Sequence, residues 1–321
     1  MPKSTDADLD PVSIAAGKFE PKLAAAIEHA IELVKDRIDS KALSAALEAG
    51  DTAGAIKLLN IEQALAEAFA GVGIEADVSS VSETLVAAFQ AGANAGLAKV
   101  PKQLAAELTF DLLNPDAVAF LKTYEFGLIK DISEGTAAAI GAVIQEAYQG
   151  LPPAKAAKKI VSLIGLTKKQ QRAVANFQNA LIAGDPASLR RILSAELRDK
   201  RFDRTIQAVI DEGGVLSAEQ IQRMTDRYYE RFLRYRAHMI ARTETIRAAV
   251  KGQQLLWEQA VASGKLDPAK VQRRWVTAGD ERVCPICAPL DGEKAGLYED
   301  FPEGDPPAHP MCRCGLVLDF D

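Results

Sequence analysis

All four cysteines of this chain lie between positions 284 and 314. They are set as Cys284-Pro285-Ile286-Cys287 and, after 21 intervening residues, as His309-Pro310-Met311-Cys312-Arg313-Cys314. A Cys-x-x-Cys turn points two sulfurs at one place, and zinc closes a tetrahedral shell with four thiolate or imidazole donors. Clustered cysteines in a reducing compartment read as a metal site, because disulfide frameworks belong to oxidising ones. The chemistry predicted is therefore structural Zn2+. Five candidates, Cys284, Cys287, His309, Cys312 and Cys314, compete for four places. Either His309 ligates together with Cys312 or Cys314, or both cysteines ligate and His309 is released. A strand after Cys312 would send Cys312 and Cys314 to one face, so spacing leaves the choice open.

Two other chemistries fit less well. A redox Cys-x-x-Cys normally sits beside a βαβ pattern, which is missing here. A catalytic zinc keeps one place open for water and needs a base nearby. Asp280, Glu281, Asp291 and Glu293 could supply one, but thiolates suffice to fill the shell. The remaining histidines, His29 and His238, lie in helical sequence far along the chain. No enzymatic role is predicted.

The elements that must carry this cluster are legible around it. Arg273–Thr277 and Gly315–Phe320 read as strands, with a Pro- and Gly-rich loop between them. A loop of that length is unusual in a compact domain unless something staples it. Upstream, Ser217-Ala218-Glu219-Gln220 is a capping box, and helical pattern runs from it without Pro or Gly to Gly252, and on toward Gly264. Earlier still, helices are predicted at about 153–164, 167–183 and 186–198, with Thr167 and Asp185 as N-caps. Asn114-Pro115 starts a helix, and Ser133 begins an amphipathic one through Ala147. Over 22–38, Leu23, Ile27, Ala30, Ile31 and Val34 share a face. The fold class predicted is mainly α: a multi-helical body whose long helix leads into a small C-terminal zinc-stapled α+β module. The chain divides into a disordered lead (1–12), an N-terminal helical region (13–104), a helical body (105–264) and the zinc module (265–321).

Charge is distributed unevenly. Residues 1–150 hold 11 Lys and Arg against 22 Asp and Glu, whereas residues 155–251 hold 20 against 10. An overall charge of −6 argues against a blanket nucleic-acid coat, but a basic helical segment facing DNA or an acidic protein surface is compatible with it. The N-terminus has no apolar stretch of the secretory kind, and no run approaches a membrane span.

Read together, Trp275, Asp280 to Cys287, Leu290-Asp291-Gly292, Phe301 and Pro306 to Cys314 resemble the phage head-morphogenesis domain of Mu-type and SPP1-type minor head proteins. Ala241-Arg242-Thr243-Glu244, with Ala249, Gly252-Gln253 and Trp257, resembles the family's second signature; Val250-Lys251 departs from it, because many members carry an Asn before the Gly-Gln pair. The likeness covers about 133–321 and leaves 1–100 unmatched. It implies a virion protein in few copies at the portal vertex or capsid interior. The implied partners are the portal protein and capsid or scaffold proteins, with packaged double-stranded DNA a further one; no membrane is involved. The alternatives are a zinc-stabilised DNA-binding protein and a metal-dependent nuclease or effector. Arg242 and Glu244 are expected to tie the long helix to the zinc module, with Trp257 and Trp275 in the same junction.

Overall fold

The computed structural model describes residues 11–72, 79–98, 100–148 and 150–320. The expected disordered lead lies, up to residue 10, outside these. Its last two residues do not: Pro11 opens helix α1 (Pro11–Gly17), and Val12 is fully buried. Among the described residues no helix is long and apolar enough to cross a membrane.

Helices follow one another through most of the chain. After α1 come α2 (Glu20–Asp36), α3 (Ser40–Glu48), α4 (Thr52–Leu59), α5 (Ile61–Phe69), α6 (Val81–Gly96) and the short α7 (Lys102–Ala105). Next are α8 (Pro115–Tyr148), α9 (Pro153–Leu163), α10 (Lys168–Ala183), α11 (Pro186–Ser194) and α12 (Asp203–Glu212). The 45-residue α13 (Ala218–Ala262) then leads to strands β1 (Val271–Val276), β2 (Lys294–Gly296) and β3 (Gly315–Phe320). The mainly helical class with a small C-terminal sheet is thus observed.

Local chemistry accounts for the boundaries. Thr167 and Gln170 form a reciprocal capping box at α10, as do Ser80 and Glu83 at α6. The Asp185 carboxylate accepts the Ser188 amide ahead of α11, and the predicted Ser217–Gln220 box opens α13. One boundary differs from expectation. The helix expected to begin at Ser133 is the later part of α8, which starts at Pro115 and passes through Gly127 without a break. A single helical Gly costs only about 1 kcal/mol, too little to end a helix this long.

The chain forms two compact units drawn from interleaved segments. One comprises 28–68 and 127–236, the other 1–27, 69–126 and 237–321. The contiguous division expected at 104/105 and 264/265 follows sequence order, whereas packing groups the segments differently.

In the first unit, Leu43, Leu59, Ile140, Ile144 and Ile160 form a buried cluster. The bend at Gly165 (φ +89°) is closely held there. Its amide donates to Thr136 Oγ1, its carbonyl accepts from the buried Arg236 guanidinium, and the Tyr229 hydroxyl donates to the Ile164 carbonyl. Tyr228 stacks on Phe177 at 4.0 Å and meets Phe232 edge-on. These aromatics pack against one another.

The second unit has one core built from α1, α6, the later part of α13 and the C-terminal sheet. Val12, Ala93, Ile246, Trp257, Trp275 and Leu316 all belong to it. Helices α1 and α6, both within residues 1–100, line the same core as the C-terminal sheet. The helices approach closely: a Cβ at Gly252 would lie 2.0 Å from the Phe89 carbonyl oxygen, and one at Gly92 would lie 2.0 Å from that of Ala249. β1 is central in the antiparallel order β2-β1-β3, with Arg273 opposite both Ala295 and Leu318. Its inward residues are Val271, Arg273 and Trp275. Arg273 is satisfied there by the Asp305 carboxylate (2.7 Å) and the Gly296 and Glu299 carbonyls, and it lies over the Phe301 ring.

Candidate metal centre

The loop joining β1 to β3 brings all five predicted donors together. His309 Nε2 is 3.0 Å from Cys284 Sγ and 3.1 Å from Cys287 Sγ, and Cys287 Sγ is 3.7 Å from Cys312 Sγ. Two sets of three could each hold a metal ion, Cys284 with Cys287 and His309, and Cys287 with Cys312 and Cys314. Cys287 is common to both. Zinc bonds of about 2.3 Å to sulfur and 2.0 Å to nitrogen place tetrahedral sulfurs about 3.8 Å apart and sulfur and nitrogen about 3.5 Å apart. The sulfur pair matches; the sulfur–nitrogen pairs are slightly closer. The donors fit such an ion by chemistry, and each set of three lies within 4.8 Å.

Local backbone prepares the sulfurs. The Cys287 amide donates to Cys284 Sγ (3.4 Å) and the Cys314 amide to Cys312 Sγ (3.5 Å). Burial opposes ionisation of Cys284, but the Cys287 and Ile286 amides outweigh it and lower its pKa. Cys312 is drawn down to about 5, chiefly by a hydrogen bond from the Cys314 side chain, against the opposing effect of burial. The same bond, with burial, raises Cys314, and burial followed by the nearby Cys312 charge pushes Cys287 up to about 12. At His309 burial is overcome by the Pro310 carbonyl and the neighbouring sulfurs, which raise its pKa. Thiolates packed this closely suppress one another's ionisation, and a divalent cation reverses that pattern. The buried Trp275 indole N–H has no conventional acceptor, and it favours the ionised form of Cys314.

The acidic loop residues brace this loop. Asp280 accepts both Arg313 Nη groups (2.7 and 2.6 Å), fixing the backbone between Cys312 and Cys314, and its pKa is lowered mainly by that pair. Asp291 accepts the Thr277 amide and hydroxyl.

The later part of α13 holds the loop of the cluster through several side chains. Thr243 Oγ1 accepts the amide of Met311, which sits at φ +66° between His309 and Cys312. Gln253 donates to the Leu316 carbonyl, and Gln254 to Asp305. Arg242 pairs with Glu20 of α2 (3.0 Å), and Glu244 with Arg247 one turn on (2.9 Å). Ties to the module thus include Thr243, Gln253 and Gln254. Thr243 gave no signal beyond its place inside the Arg-Thr-Glu triplet. Trp257 and Trp275 are both fully buried in the shared core, as expected. His29 and His238 belong to other helices, α2 and α13.

Glu244 is largely buried, and desolvation pushes its pKa up to about 7 against the opposing charge of Arg247. Between its ordinary 4.5 and 7 the folded protein keeps a proton that the unfolded chain releases. Stability present at acid pH is therefore lost as pH rises through about 7. Glu244→Gln is expected to leave stability near pH 4 unchanged and to raise it at pH 8 by on the order of 2 kcal/mol. Denaturant titrations at both pH values check this; an equal change at both would refute it.

Fold and site together define a helical protein carrying a C-terminal Cys–His cluster that could hold a metal ion. Residues 200–317, which take in α12, α13, the loop and most of the sheet, match the family model described as phage Mu protein F like protein. The match includes all five candidate donors and the Thr243, Gln253 and Trp257 contacts. No curated protein and no solved structure matches the chain.

Proposed function

We propose that the protein is a phage minor head protein acting in head morphogenesis. Its C-terminal module would be held together by structural zinc. The observation that carries this is the match at 200–317, which spans both the long helix and the stapled loop. Zinc is the ion best suited to a thiolate and imidazole set, and it would cross-link segments distant in sequence. With four protein donors the shell has no place for a reacting water, so the role assigned is architectural. The partners proposed are the portal protein and capsid or scaffold proteins, at the portal vertex or capsid interior.

Packaged double-stranded DNA is a further proposed partner, supported by the basic excess over 155–251. Roles in packaging or ejection belong to the same proposal.

The reading is tested in the phage or prophage that encodes the chain. Wild-type protein supplied in trans is expected to enter particles, and Cys284→Ser to be lost from them. Full incorporation and infectivity with Cys284→Ser would remove the stapled module from assembly and overturn the proposal.

A further inference from the structure

The cluster contains one donor too many for a tetrahedral ion, and the structure distinguishes the surplus one. The loop holds two turns of the same form, Cys284-Pro285-Ile286-Cys287 and His309-Pro310-Met311-Cys312. Each is a donor, a proline, an apolar residue and a cysteine. Each is closed across its four residues, the first by the Cys287 amide on Cys284 Sγ and the second by the Cys312 amide on the His309 carbonyl (3.2 Å). The second is fixed from outside by Thr243 on the Met311 amide. Two such turns present four donors, at positions one and four of each.

His309 is oriented for ligation. Its Nδ1 is 2.8 Å from the Pro310 carbonyl oxygen. A carbonyl only accepts, so Nδ1 carries the proton and the Nε2 lone pair faces Cys284 and Cys287. Metal-bound histidines almost always donate their second nitrogen in this way.

Cys314 belongs to neither turn. It immediately precedes β3 and is buried in the shared core. Its own amide is committed to Cys312 Sγ.

We propose that Cys284, Cys287, His309 Nε2 and Cys312 hold the metal, and that Cys314 stands outside the shell. This rests on reading the cluster as a metal site. Cys314 then acts as a positioning residue for Cys312 through its backbone amide.

Zinc-edge X-ray absorption on the full chain, loaded with zinc alone, reads the shell directly. The expected result is three sulfurs and one nitrogen. Cobalt substitution should give the charge-transfer signature of three thiolates, which Cys314→Ser leaves unchanged in number. His309→Ala should remove the nitrogen scatterer. Four sulfurs without nitrogen, or loss of a thiolate in Cys314→Ser, would overturn the assignment while leaving the metal site standing. A wild-type chain that takes up no stoichiometric metal would overturn both. If Cys314→Ser fails to fold, Cys314→Ala takes its place, and loss of a thiolate from its cobalt signature would overturn the assignment.

Discussion

Chelation of the purified protein is expected to open residues 277–314 to protease while most helical signal persists. This segment has little regular structure beyond β2, and its large buried apolar side chains are few: Leu290, Leu297 and Phe301. Ordering a chain costs roughly 1–2 kcal/mol per residue. Without a cation the cluster also confines sulfurs as close as 3.7 Å, two of them with pKa values raised by burial or by their neighbours. Structural zinc contributes on the order of 10–16 kcal/mol in small modules, the largest single effect expected here. Cys284→Ser should reproduce the result. Since Leu290 and Phe301 share a core with α1, α6 and α13, some loss of stability should spread into that unit. Limited proteolysis alongside far-ultraviolet circular dichroism, with and without chelator, checks this; identical cleavage patterns would refute it.

Gly252→Ala should be the most damaging single methyl addition in α13. The added carbon would sit 2.0 Å from the Phe89 carbonyl oxygen and 3.2 Å from the Ala93 amide nitrogen, both backbone atoms that cannot turn aside. Helix α6 would have to retreat from α13, loosening Trp257 and the Gln253 bond to β3. Overpacking of this kind costs about 3 kcal/mol, the upper end of its usual range. Gly127→Ala provides the control, since nothing lies within 4 Å of its added carbon. It should be neutral or stabilise by up to about 1 kcal/mol through helix propensity. Equal denaturation midpoints for the two variants would show that the close helix crossing is not formed.

Much of this site was legible because its chemistry is local. Cysteine spacing, the caps at Thr167, Asp185 and Ser217, and the alternation around Trp275 depend on residues a few positions apart. The contacts that position the site are not local. Thr243 and Met311, or Gln253 and Leu316, are more than sixty residues apart, and neither side chain announces its partner. The Ala241–Glu244 signature contained Thr243, but nothing in it marked that hydroxyl as a tether to Met311. Gly252 read as a possible end of the long helix, yet it marks the closest approach of α6. β2 escaped notice because three residues inside a loop carry no alternating pattern. The five-donor ambiguity also needed structure, since only the two closed turns separate Cys314 from the rest.

Quantitative mass spectrometry of purified particles from the phage or prophage that encodes this chain tests the proposed role in the head. Peptides from both 11–72 and 200–317 are expected, at a small fraction of the major capsid protein's abundance, with zinc retained in proportion. Particles that are complete and infectious but lack the chain would contradict that role.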